Sequence, residues 1–148
     1  MSRVPKPSRR DASSSRIELA RVLLVHGDLA SRLALKTILE AGGYSVDAAS
    51  TAAEALSMLD AGKYELVLTD SSIGSAAAGR NVLAYARVKD YRPATALITS
   101  YETAKLRSRR AAQQFAVYAE NLPLLLGKVA ELIAMRASRR YRPLRAAV

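Results

Sequence analysis

Val22-Leu23-Leu24-Val25 is a continuous apolar run only four residues long, and similar short runs return at Leu66-Val67-Leu68 and Ala96-Leu97-Ile98. A strand with one wet face alternates apolar and polar residues. A run without alternation belongs to a strand covered on both faces, which is the habit of parallel sheets. Between the runs lie segments with helical spacing. Strands alternating with helices specify a parallel sheet joined by right-handed crossovers. The sequence therefore predicts an α/β fold: a doubly wound, five-stranded parallel sheet with helices on both faces.

The elements follow from local chemistry. After the first strand, Asp28 is placed to cap a helix over 29–41, with Leu33, Thr37 and Ile38 on one face and Gly42-Gly43 as its stop. Residues 44–48 form the second strand. Thr51-Ala52-Ala53-Glu54 has the spacing of a capping box and opens a helix through Leu59. Residues 65–69 are the third strand, and Asp70 stands at its tip. Residues 71–79 read as a small-residue loop before a helix from Asn81 to about Val88. The fourth strand is predicted over 96–99, a basic fourth helix over 102–112, and the fifth strand over 115–118. A last helix begins at Asn121 with Pro123 in its first turn. Leu122, Leu125, Leu126, Val129, Leu132 and Ile133 recur on its inner face.

Charge is unevenly placed on the 148 residues, which carry a formal net charge of +10. Residues 1–16 hold five cations and one acid, and residues 136–148 hold five arginines and no acid. The stretch between is nearly neutral. This divides the chain into a flexible basic tail at 1–16, a domain at 17–136 and a second basic tail at 137–148. Pro, Ser and charge in the first tail leave little to offset ordering entropy. Cationic tails can hold nucleic acid, acidic lipid headgroups or acidic protein by charge alone, and solvated arms without a partner are the plainer account. With no Cys and one His, disulfides, zinc–thiolate sites and most Ser-His-Asp arrangements are excluded. No segment is long and apolar enough to span a bilayer, and no apolar stretch follows the basic start as a secretory signal requires. A cytoplasmic location is expected.

A doubly wound sheet presents ligands at the C-terminal edge of its strands. That edge collects His26 and Gly27 after the first strand, Asp70 after the third, Thr99 after the fourth and Tyr118 after the fifth. The segment 74–79 lies between a strand and a helix, as a phosphate loop would. Arg80 and Asn81 replace the Lys and Ser/Thr such a loop needs, so it reads as a mobile connection. His26 at a strand end reads as a packed, hydrogen-bonded residue, with a pH-sensitive or soft-metal role as the alternative.

In order and spacing the chain resembles a bacterial response-regulator receiver domain over about residues 21–136. The marks are Val22-Leu23-Leu24-Val25 followed by Asp28 and Arg32, then Gly42-Gly43-Tyr44-Ser45-Val46, then Leu66-Val67-Leu68-Thr69-Asp70, with Thr99 and Phe115 further on. The resemblance implies that Asp70 stands where the family accepts a phosphoryl group from a histidine kinase. Thr99 and Phe115 stand at its switch positions, although ordinary strand packing also accounts for both. The family holds Mg²⁺ with two acids at the end of the first strand and pairs the phosphate with a Lys at the end of the fifth. Here those places are His26, Gly27 and Tyr118. Ile73-Gly74 replaces the usual Met-Pro, and Gly79 comes one residue late.

These departures remove charge where charge is needed. Placing a phosphoryl group on a carboxylate requires cations to balance it. Gly27 has no donor, a His nitrogen is a poor ligand for Mg²⁺, and Tyr118 is neutral at pH 7. The expectation is a stand-alone pseudo-receiver of two-component phosphorelay signalling that is not an enzyme, has lost Mg²⁺ and acts by protein contact. The residues outside the domain are too few to form an output domain. Lys105, Arg107, Arg109 and Arg110 make the face of the fourth helix, fifth strand and fifth helix basic, so an acidic protein partner is expected there, with a homodimer as another occupant. Two alternatives stand beside this reading: weak phosphorylation at Asp70, and nucleic-acid binding through the tails.

Overall fold

A computed structural model of the chain describes residues 19–70, 73–74, 76–99, 116–118 and 122–140. Five strands, β1 (Arg21–Val25), β2 (Ser45–Ala49), β3 (Leu66–Asp70), β4 (Ala94–Thr99) and β5 (Ala116–Tyr118), form one sheet in the order β2-β1-β3-β4-β5. Every pairing is parallel. Helices α1 (Leu29–Ala41), α2 (Ala52–Ala61) and α3 (Ala76–Arg87) and a C-terminal helix (Leu122–Arg140) accompany it. No helix among the described residues is long and apolar enough to cross a membrane.

Two cores sandwich the sheet. Val22, Leu24, Leu66, Leu68 and Ile98 point to one face, where Leu35 and Leu39 of α1 and Leu125, Val129 and Leu132 of the C-terminal helix cover them. Leu23, Val25 and Val67 point to the other, against Ala55 and Leu59 of α2 and Val82 and Leu83 of α3. The alternate residues of one run thus serve opposite cores, which is why β1 shows no polar alternation.

Caps fix the helix ends. The Asp28 carboxylate accepts from the Ser31 amide at 2.9 Å, as its place predicts. Thr51 accepts from the Glu54 amide, while the Glu54 carboxylate reaches back to the amide and hydroxyl of Ser50, one residue before the expected partner. At the end of α1 the Tyr44 amide bonds to Leu39 O and the Gly43 amide to Glu40 O, with Gly43 at φ 100°. That Schellman turn needs glycine and withholds Tyr44 from β2.

Several expectations are corrected. Leu33 lies exposed, and α1 buries Leu35 and Leu39 with Ile38 half-buried. Helix α3 begins at Ala76 rather than Asn81, because consecutive alanines favour helix over loop. Both β3, which extends to Asp70 through its register with Ile98, and β4, which starts at Ala94, are shifted from the predicted bounds. The C-terminal helix runs to Arg140, past the expected end of the domain. Residues 137–140 contain no breaker, and cations suit a helix C-terminus. The predicted helix over 102–112, the Asn121 cap and both outer tails (1–16 and 141–148) lie outside the described residues.

Candidate functional site

The strand order reverses between β1 and β3, and doubly wound sheets bind ligands at the C-terminal ends of the strands beside such a reversal. Asp70 ends β3 there, half-buried, in register with Ile98. The strand carries it to the edge because Leu66, Val67 and Leu68 are buried and leave the carboxylate as the first residue able to reach water. Behind it Thr69 is fully buried. Gly79, buried in the first turn of α3, packs against the Asp70 carbonyl, an approach the sequence reading missed because it placed Gly79 in a loop.

His26 follows β1. Its amide donates to Ala49 O at 3.0 Å and continues the β1–β2 ladder by one residue. The Asp28 amide donates to His26 Nδ1 at 3.1 Å. An Nδ1 that accepts a hydrogen bond carries no proton, so its lone pair is directed into the protein's own turn. Arg32 Nη1 donates to His26 O at 2.8 Å, which ties α1 to the strand end. Gly27 is exposed and contributes no side-chain donor.

The Asp28 carboxylate also accepts from the Ser31 hydroxyl at 2.7 Å. These two bonds from Ser31, the hydroxyl first, hold its carboxyl below the usual carboxylate range, with the Arg32 guanidinium adding positive charge nearby. Glu54 is lowered for a related reason: the amide and hydroxyl of Ser50 bind it, and Arg32 lies close by. Arg32 therefore supports two acids at this edge. Its spacing after Asp28 was visible in the sequence, but its nearness to Glu54 was not.

Thr99 and Tyr118 are brought side by side by the register of β4 and β5. Phe115 and the basic residues Lys105, Arg107, Arg109 and Arg110 lie outside the described residues. Among the described residues no three His, Asp or Glu side chains converge into a cluster that could hold a metal ion.

Comparison with known proteins gives this edge its context. The model of the response regulator receiver domain family matches residues 22–118. No curated protein matches the chain. The response regulator TrrA of Thermotoga maritima, solved in complex with Mg²⁺–BeF, is similar at 28% identity and TM-score 0.63. That match covers 77% of this chain and 99% of that one. A CheY-like receiver domain protein of Methanospirillum hungatei has 23% identity and TM-score 0.65, covering 82% of this chain and 99% of that one. NtrX of Brucella abortus, in complex with ATP, has 17% identity and TM-score 0.71. There the match covers 82% of this chain but only 28% of NtrX. The family match takes in most of β1 and all of β2 to β5, which deliver His26, Asp70, Thr99 and Tyr118 to one edge, and on that ground the chain belongs to the response regulator receiver domain family of two-component signalling.

Proposed function

We propose that this receiver works by protein contact, without efficient phosphoryl transfer to Asp70 and without Mg²⁺. The observation that carries this reading is the state of the donors beside the phosphoacceptor position. His26 Nδ1 is occupied by the Asp28 amide, Gly27 has no side-chain donor, and Oδ2 of the Asp28 carboxylate accepts both the amide and the hydroxyl of Ser31. Mg²⁺ takes hard oxygen ligands in octahedral geometry, and this set does not fit it. Tyr118, in register with Thr99, supplies no charge at neutral pH to pair with a phosphoryl group. Receiver domains engage protein partners; here the cations Lys105, Arg107, Arg109 and Arg110 favour an acidic one.

The test is incubation with acetyl phosphate and Mg²⁺, read by intact-mass spectrometry. No acyl phosphate is expected under conditions that label an ordinary receiver. A stable adduct of one phosphoryl group, absent in Asp70→Asn, overturns the proposal.

A further inference from the structure

Helix α1 turns an apolar face to water that the receiver reading does not use. Over its first three turns the exposed residues are Leu29, Ala30, Leu33, Ala34 and Thr37, and none of them is charged. Leu29 is 59% exposed and Leu33 54%. The Thr37 hydroxyl donates to Leu33 O at 2.8 Å and is thus bonded within the helix. A surface helix normally carries its charges opposite its buried stripe. Helix α2 does so, with Glu54, Ser57 and Asp60 facing water. In α1 the buried stripe is Leu35 and Leu39, yet large apolar residues stand on the far side as well. Its charged groups keep to the margins. Arg32 and Lys36 are half-buried, Arg32 donating to His26 O at 2.8 Å and Lys36 pairing with Glu40 at 3.6 Å.

The layout of this face selects its occupant. Leu29, Leu33 and Thr37 are four residues apart and form a ridge, and Ala30 and Ala34 form a shallow groove in the row beside it. A ridge beside a groove is complementary to itself across a two-fold axis: the leucines of each copy seat over the alanines of the other. The chain carries a net charge of +10, which opposes self-association in general. An uncharged face is where two copies approach with least repulsion. For the same reason the face offers nothing to a partner chosen by charge.

The ends of the chain suit this face poorly. Residues 1–18 are basic and hold only Met1, Val4 and Ile17 as large apolar side chains. The segment after Arg140 leaves from the opposite edge of the sheet, where Arg136 donates to the carbonyls of Tyr91 and Arg92 just ahead of β4.

We propose that two copies of this chain pair through the outer face of α1, whether or not Asp70 takes a phosphoryl group. Rows four apart on both helices cross at about −50°, so roughly two turns of each helix meet. That contact falls short of the ~800 Å² per partner of a stable interface, and the pairing is expected to be weak, with a Kd on the order of 10–100 µM.

The test is sedimentation equilibrium of the full chain from about 5 to about 500 µM, where the average mass should rise from one copy toward two. In Leu29→Gln/Leu33→Gln the rise should move at least roughly ten-fold higher in concentration. Both leucines are exposed and glutamine suits a helix, so melting of dilute protein should show this variant folded. Arg107→Ser/Arg110→Ser, on the basic face, should keep the native curve. The chain has no cysteine, so single-cysteine variants report proximity cleanly. Under mild oxidation Ala34→Cys, beside the two-fold axis, should form a disulfide-linked dimer roughly ten-fold faster than Ser57→Cys on the exposed side of α2. A native chain that stays monomeric at the top of the range overturns the proposal. So do equal association of the native and glutamine chains, equal cross-linking of the two cysteine variants, or a loss confined to the arginine variant, which assigns the pairing to the basic face.

Discussion

A β-carbon placed on Gly79 would lie 3.0 Å from the carbonyl oxygen of Asp70. The first turn of α3 therefore closes directly onto the backbone of the phosphoacceptor position, and the absence of a side chain makes that closeness possible. Gly79→Ala is expected to destabilise the fold by about 1–3 kcal/mol, although alanine is the better helix former, because the neighbour is backbone and cannot swing away. Chemical denaturation measures this. A neutral or stabilising effect would show that α3 can slide off the end of β3.

Restoring charge should restore chemistry. Nothing lies within 4 Å of a β-carbon at Gly27, and its backbone suits any residue. On the proposed function, Mg²⁺ should leave the melting temperature of the native chain unchanged and raise that of His26→Asp/Gly27→Asp. Adding Tyr118→Lys should then allow labelling by acetyl phosphate at Asp70. If the triple variant folds and binds Mg²⁺ yet accepts no phosphoryl group, the proposal that these three positions limit phosphoryl transfer to Asp70 fails.

Leu33 and Leu39 test which stripe of α1 is the inner one. Leu39 is fully buried beneath the sheet, and Leu39→Ala should cost about 2–5 kcal/mol. Leu33 is 54% exposed, and Leu33→Ala should stay within about 0.5 kcal/mol. Urea unfolding of the pair decides it.

Alkaline pH should weaken the fold through Tyr64. Its ring is buried, and its hydroxyl donates to Asp47 Oδ2 at 2.7 Å while Arg21 binds the same carboxylate oxygen at 3.1 Å. Burial first, and then the bond to Asp47, pushes the phenol above its ordinary value. Tyr44 and Tyr91 are raised by burial as well. A raised folded-state value means the stabilisation is complete below the unfolded phenol value of about 10 and is lost as pH rises beyond it. Melting temperature should fall above that pH, and the fall should be shallower in Tyr64→Phe. The same substitution should cost about 1 kcal/mol at neutral pH through the lost hydrogen bond.

Acid acts on a different set. Asp28, Glu54 and Asp60 are all held below their ordinary values, by Ser31, by Ser50, and by Lys89 with Tyr85. Their contribution is present above the unfolded carboxylate range and is lost as pH falls through the lowered values. Asp28→Asn keeps a capping acceptor but no charge, so its melting curve should depend less steeply on acid than that of the native chain.

Much of the fold was legible because it is written in local chemistry. The apolar runs marked β1, β3 and β4, since a strand covered on both sides tolerates no polar alternation. Asp28, Gly43 and the Thr51–Glu54 pair marked helix ends, because the orphan backbone groups there demand specific partners. Order and spacing alone place Asp70, Thr99 and Tyr118 at one edge, and the structure sets Asp70 and the backbone of the other two there.

Tertiary structure decided what periodicity leaves open. Leu33–Thr37 and Leu35–Leu39 are equally good helical stripes, and only the position of the sheet beneath α1 selects the second. Residues 76–79 are small enough for loop or helix; their alanines favour helix, and only the fold shows Gly79 of that helix closing onto Asp70. The bond from Tyr64 to Asp47 and those from Arg136 to the carbonyls of Tyr91 and Arg92 join residues through the path of the chain in space. A sequence states which groups are available and which local shapes they prefer; which distant groups share a cleft depends on how the layers pack, and that is settled by burial of the whole chain.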